Sequence, residues 1–80
     1  MDNKTIRNAF RELKKDQKMV LTCKEHTYVL MIEDILCMGS GNDLQIHKGG
    51  NSRGISTPEP AMYIDCTYVQ SAIIKNREDF

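Results

Sequence analysis

The side chains best suited to chemistry in this 80-residue chain are three cysteines, Cys23, Cys37 and Cys66, and two histidines, His26 and His47. Cys23 and His26 have the two-residue spacing of half a zinc site, and the remaining residues of the set could complete four ligands. Position argues the other way. No Cys-x-x-Cys occurs, and each cysteine falls where an apolar core residue is expected, a setting in which free cysteine packs as a small hydrophobe. A cysteine beside His26 or His47 would also supply a nucleophile and a base, but nothing in the sequence marks any thiol as activated. The histidines fit surface positions, one in a turn and one on a polar strand face. The expectation is a non-enzymatic chain without metal or cofactor, with Cys23 and His26 as the residual zinc candidates.

Acidic and glycine-rich stretches also fall short of catalytic patterns. Glu33 and Asp34 are adjacent, so on a strand they point to opposite faces and make no acid–base pair. Gly39-Ser-Gly-Asn-Asp43 lacks the Gly-Lys-Ser/Thr ending that sets a lysine and a hydroxyl on phosphate and magnesium, and it fits a turn. Gly49-Gly50 lacks a following helix.

Basic and acidic residues number 11 each, so no net charge draws the chain to nucleic acid or an anionic surface. The distribution is uneven. Residues 1–18 hold Lys4, Arg7, Arg11, Lys14, Lys15 and Lys18 against Asp2, Glu12 and Asp16. At about 100° per residue, Lys4, Arg7, Arg11, Lys14 and Lys18 fall on one narrow helical stripe. Such a stripe is ordinarily a solvated face; its sharper meaning is a helix that faces phosphates. The odd cysteine count, and the lack of an apolar segment after the first residues, suit a reduced, cytoplasmic protein. The longest apolar run, Tyr28 to Ile32, is too short to span a membrane.

The elements that must position these residues follow from periodicity. A helix is expected over 2–17, capped by Asp2 or Asn3, with Ile6, Ala9, Phe10 and Leu13 at helical spacing. Met19 to Cys23 alternates as a short strand, Lys24-Glu25-His26 is a polar turn, and residues 27–32 return as the second strand of a hairpin. The stretch 27–38 is the most apolar in the chain. Glu33-Asp34 marks a bulge or corner within it, because unpaired carboxylates cannot continue a buried strand cheaply. A strand resumes over 35–38, residues 39–43 turn, and Leu44 to Lys48 alternates with Leu44 and Ile46 inward. Residues 49–60 form a long aperiodic loop. Ala61 to Tyr68 alternates again, 72–74 is a last short strand, and 76–80 is a tail expected to fray. The fold class is α+β in a single domain, 1–80: an N-terminal amphipathic helix packed on a small, strongly bent antiparallel sheet or barrel of about five strands.

Val20, Leu21, Tyr28, Leu30, Glu33, Asp34, Ile35, Leu36, Met38, Asn42, Leu44, Ile46 and His47 form a pattern of polar-turn hairpin, acidic pair before isoleucine, small turn, and strand ending in Ile-His. With that pattern, residues 19–50 resemble the first half of a LytTR-type DNA-binding domain. The remainder departs from the family, since residues 51–80 supply neither its helix nor its basic strand clearly, and Asp65 stands where a basic contact belongs. The whole-chain layout, a helix followed by short bent strands, is similar to an Sm or Hfq-like fold. The Asp-x-x-x-Asn loop of that family is absent, and Ile64-Asp65-Cys66 stands where an RNA-contacting segment would be. A ring-forming, RNA-binding role is implied there only where the strand order matches.

Both resemblances imply a nucleic-acid-binding regulator, of DNA or of RNA. Lys4, Arg7, Arg11, Lys14, Lys18, Lys48 and Arg53 are the expected contacts. The alternative is a protein inhibitor or adaptor that works through a sheet edge or through Tyr63 and Tyr68, favoured by the zero net charge. A small core also suits a homo-oligomer. Protein purified without chelator is expected to contain no zinc by elemental analysis; a stoichiometric amount would reinstate Cys23 and His26 as ligands.

Overall fold

Asp2 begins the helix that the amphipathic spacing foretells, its carboxylate accepting the Lys4 N–H at 3.2 Å. The structure, a computed structural model, describes residues 1–49 and 62–79. Helix α1 spans Asn3–Arg11 and stops well short of the expected end at residue 17. Its last turn tightens, Glu12 N–H bonding the Ala9 carbonyl and Leu13 N–H the Phe10 carbonyl. A turn then follows in which Gln17 N–H bonds the Lys14 carbonyl and the Gln17 side chain accepts from Lys14 N–H. The reason is tertiary. Gln17 already belongs to the first strand, where it faces Asn76, so the chain must reverse before it.

Strands β1 (Gln17–Cys23), β2 (Thr27–Leu30), β3 (Ile35–Met38), β4 (Asp43–His47), β5 (Met62–Asp65) and β6 (Val69–Asn76) follow. They form two antiparallel three-stranded sheets, ordered β2-β1-β6 and β3-β4-β5. The fold is α+β as expected, an N-terminal helix with antiparallel strands. Among the described residues the strands number six rather than about five, and they form two sheets that do not close into a barrel. The expected corner does separate two strands, β2 and β3, and these belong to different sheets. The expected strand over 61–68 is cut. The Asp65 carboxylate accepts Thr67 N–H at 3.0 Å, and residues Cys66–Tyr68 form a 3-10 turn. Conversely β6 is far longer than 72–74, because it pairs along the whole of β1. A bulge at Thr22/Cys23 sets Cys23 opposite Val69 and Thr22 opposite Ser71, which turns Val69 inward. The tail is tied rather than frayed as far as Asp79: Arg77 N–H bonds the Asp16 carbonyl, and its guanidinium meets Glu33 at 2.6 Å. Residues 50–60 of the expected loop, with Arg53, lie outside the described residues.

The core lies between the sheets. Met19, Leu21 and Leu30 face in from one, Leu44, Ile46, Ile64 and Leu36 from the other, and Ile6 of α1, Cys66 and Val69 complete it. Alternation explains the choice, since Leu44 faces Met38 and Ile64, and Ile46 faces Leu36 and Met62.

Glu33 and Asp34 do form the expected corner, and they divide its work. Asp34 is 3% exposed, yet each of its oxygens has a donor. Oδ2 accepts from Met31 N–H at 2.9 Å and Lys48 Nζ at 2.7 Å, and Oδ1 from Gly49 N–H at 2.8 Å. Burial alone would raise its pKa, but Lys48 and the two N–H donors outweigh that and hold it below the ordinary carboxylate range. Glu33 is also lowered, chiefly by its hydrogen bonds from Arg77.

Groups whose folded pKa is depressed stabilise the fold above their unfolded pKa and cease to do so as pH falls through the folded value. Asp34→Asn should therefore lower stability in urea by about 2 kcal/mol at neutral pH and flatten its decline below pH ~4. Glu33→Gln, on a pair that is only half-buried, should change the urea midpoint little. An Asp34→Asn chain as stable as the original would remove the corner from the account of the fold.

Candidate functional site

In the β1–β2 turn Cys23 N–H bonds the His26 carbonyl at 2.8 Å, and Lys24, Glu25 and His26 are exposed. Next to this turn Tyr28 pairs with Leu21, half-buried, with its ring centroid 6.1 Å from that of His26. Tyr63 lies outward on β5 between the inward Met62 and Ile64, and Tyr68 ends the 3-10 turn. These two rings are 65% and 69% exposed. Together the turn, β2, β5 and the 3-10 turn enclose a groove of about 350 Å³, and all three tyrosines of the chain line it. The groove spans the two sheets, with Tyr28 contributed by one and Tyr63 by the other.

A polar network fixes the end of the groove that carries Tyr68. Asn42 Oδ1 accepts Asn3 N–H at 2.7 Å, and Asn42 Nδ2 donates to the Met1 carbonyl and to Thr67 Oγ1. The Asn42 carbonyl accepts Cys66 N–H at 3.0 Å. Asn3, 3% exposed, gives its side-chain amide to the carbonyls of Gly41 and Asp43. The start of α1, the β3–β4 turn and the 3-10 turn are thus bound to one another, and Tyr68 follows directly after Thr67.

Chemically the groove offers aromatic faces, hydroxyl donors and mixed charge: Lys24 against Glu25 and Asp65. Cys23 borders it as a half-buried free thiol. Cys66 is buried in the core, its pKa pushed up to about 11, chiefly by burial, so it stays a protonated thiol at neutral pH. Cys23 and His26 both line the groove, but among the described residues no cluster of three or more histidine, cysteine or acidic side chains could hold a metal ion.

Among the described residues, the expected basic contacts fall on several elements. Lys4, Arg7 and Arg11 lie on α1, where Arg7, Arg11 and Phe10 border a shallow depression of about 210 Å³ with Asp34, Ile35 and Leu36. Lys14 is exposed in the turn after the helix, so the stripe is interrupted there. Lys18 lies on β1 and donates to the Asp79 carbonyl. Lys48 Nζ is held by Asp34 and by the Val29 carbonyl at 3.0 Å. The sequence points to Tyr63 by its outward register, whereas Tyr68 shares the parity of Met62, Ile64 and Cys66 and is exposed at the end of the 3-10 turn. The sequence does not point to Tyr28, Lys24 or Glu25 as their neighbours. Only the pairing of the strands brings those together.

At pH 8, dithiobis(nitrobenzoate) should label Cys66 about a hundredfold more slowly in the folded chain than in urea, given the shift of its thiol. Peptide mass spectrometry distinguishes it from Cys23 and Cys37, and equal rates would show that the thiol is not shielded. No family model matches this chain, and neither a curated protein nor a solved structure matches it.

Proposed function

We propose that the chain is a small non-enzymatic binding module that docks a protein segment in its tyrosine groove. One observation carries this: tyrosines from three separate elements converge on a single cleft. Tyr63 and Tyr68 are about two-thirds exposed, so they add little to the core that folds the chain. Tyrosine suits such a position because it combines a large apolar ring with a hydrogen-bonding tip and few rotamers to freeze. Buried aromatic anchors of this kind dominate the energetics of protein interfaces. The three free thiols suit a reducing compartment, and the cytoplasm is the proposed setting.

The second reading is a nucleic-acid-binding regulator acting through α1. Its support is that Lys4, Arg7 and Arg11 lie at i, i+3 and i+7 of one helix, and none is in an ion pair among the described residues. The pattern-level resemblance to LytTR-type domains and the Sm or Hfq-like layout also favour it. A second copy of the chain is a further possible partner. Val29, Val20 and Ile73 face one another across β2, β1 and β6, with Val29 and Ile73 38% and 47% exposed.

Immobilised chain should retain a protein partner at moderate salt, and Tyr63→Ala or Tyr68→Ala should release it without changing the melting transition. Retention unaffected by both substitutions would remove the groove from the function. Binding to mixed DNA and RNA that falls steeply with salt, and disappears when Lys4, Arg7 and Arg11 are changed to glutamine, would establish the second reading instead.

A further inference from the structure

Given a docking role for the groove, its side chains restrict the ligand further. Tyr28, Tyr63 and Tyr68 each present a ring and a hydroxyl donor. A polyproline II segment is the complementary shape, because its carbonyls have no internal partners and its proline rings carry no N–H that burial would orphan. Aromatic-lined grooves recognise such segments at low entropic cost, the ligand being extended before it binds. The space agrees. About 350 Å³ is at the small end for a binding cleft, enough for a short extended stretch.

Charge selects among extended segments. Glu25 and Asp65 outnumber Lys24 along the groove, and one Asp65 oxygen is engaged by Thr67 N–H. A basic ligand residue would meet these carboxylates and could stack its guanidinium on a tyrosine face. A single-stranded nucleic acid could also stack bases on the rings, but its phosphates would face the same two carboxylates. We propose that the groove binds an extended, proline-rich protein segment carrying an arginine. Proline rings lie on Tyr63 and Tyr68, tyrosine hydroxyls donate to the segment's carbonyls, and the arginine pairs with Glu25 or Asp65. This rests on the docking role proposed above.

The test is fluorescence anisotropy of the full chain with three labelled probes. They are a decapeptide with two Pro-x-x-Pro repeats and one arginine, the same peptide with glutamate replacing the arginine, and a uridine decamer. The arginine peptide should bind saturably and the glutamate peptide about tenfold more weakly. Tyr63→Ala and Tyr68→Ala should each weaken the arginine peptide about tenfold, with circular dichroism melts confirming that they fold. Glu25→Gln should narrow the difference between the peptides. Equal affinity for the two peptides, or no saturable binding of either, overturns the proposal. Uridine binding that Tyr68→Ala abolishes overturns it in favour of base stacking. Peptide failure while Tyr63→Ala still releases a captured protein overturns the ligand class alone; failure of both overturns the docking role as well.

Discussion

A carboxylate buried at a chain reversal must find donors for its oxygens, and in this fold that demand is met in a way that joins the two sheets. Asp34 follows the last residues of one sheet and precedes Ile35, the first residue of the other. Ile35 faces His47, so the ladder carried one step further sets Asp34 opposite Lys48. The ion pair therefore continues the β3–β4 pairing as a cross-strand contact between opposite charges. Lys48 Nζ also reaches the Val29 carbonyl in β2, so a single ammonium bridges both sheets. Removing either partner would leave the other charge without its counterpart beside a small core, which is the costly way to break such a pair.

Asp34 and Glu33 show how adjacent residues of the same charge can do different work. Asp34 is buried and gathers two backbone N–H groups and an ammonium. Glu33 is half-buried and takes the guanidinium of Arg77, which ties the end of β6 back across the corner. Arg77 N–H also reaches the Asp16 carbonyl, in the turn between α1 and β1. The C-terminal residues are thus anchored at the two places where the chain reverses early on, and the polarity that suggests fraying is what makes the anchoring possible.

Much of this was legible because the relevant signals are local. The alternation of Met19 and Leu21, the polar turn at 24–26 and the inward Leu44 and Ile46 each follow from a period of two. The acidic pair announces a corner for the same reason, since a buried strand cannot hold it unpaired. The end of α1 was not legible, because Leu13 keeps the helical apolar spacing and is indeed half-buried against the core, although the helix has already ended. What stops the helix is the pairing of Gln17 with Asn76, a partner nearly sixty residues away. The 3-10 turn was hidden likewise, since Ile64 and Cys66 continue an alternating pattern and both are buried. The local cue was Asp65 two residues before Thr67, the spacing at which an aspartate captures a backbone N–H.

The groove is a consequence of the same corner. A single sheet curled to closure would pair its edges and leave no seam between the β1–β2 turn and β5. Because the corner assigns β2 and β3 to different sheets, β2 is held at one end by Asp34, while His26 and Tyr28 lie toward the other end, where β1 still pairs with β6. Tyr63 meets them from the opposite sheet, and the Asn42 network sets the turn that presents Tyr68. Neither sheet builds the cleft alone. Its shape depends on how the two are joined, so a change at the corner should reach the tyrosines through the hairpin, although no tyrosine touches Asp34 among the described contacts. The acidic pair that at first resembles chemistry is better understood as what joins the two sheets that frame the groove.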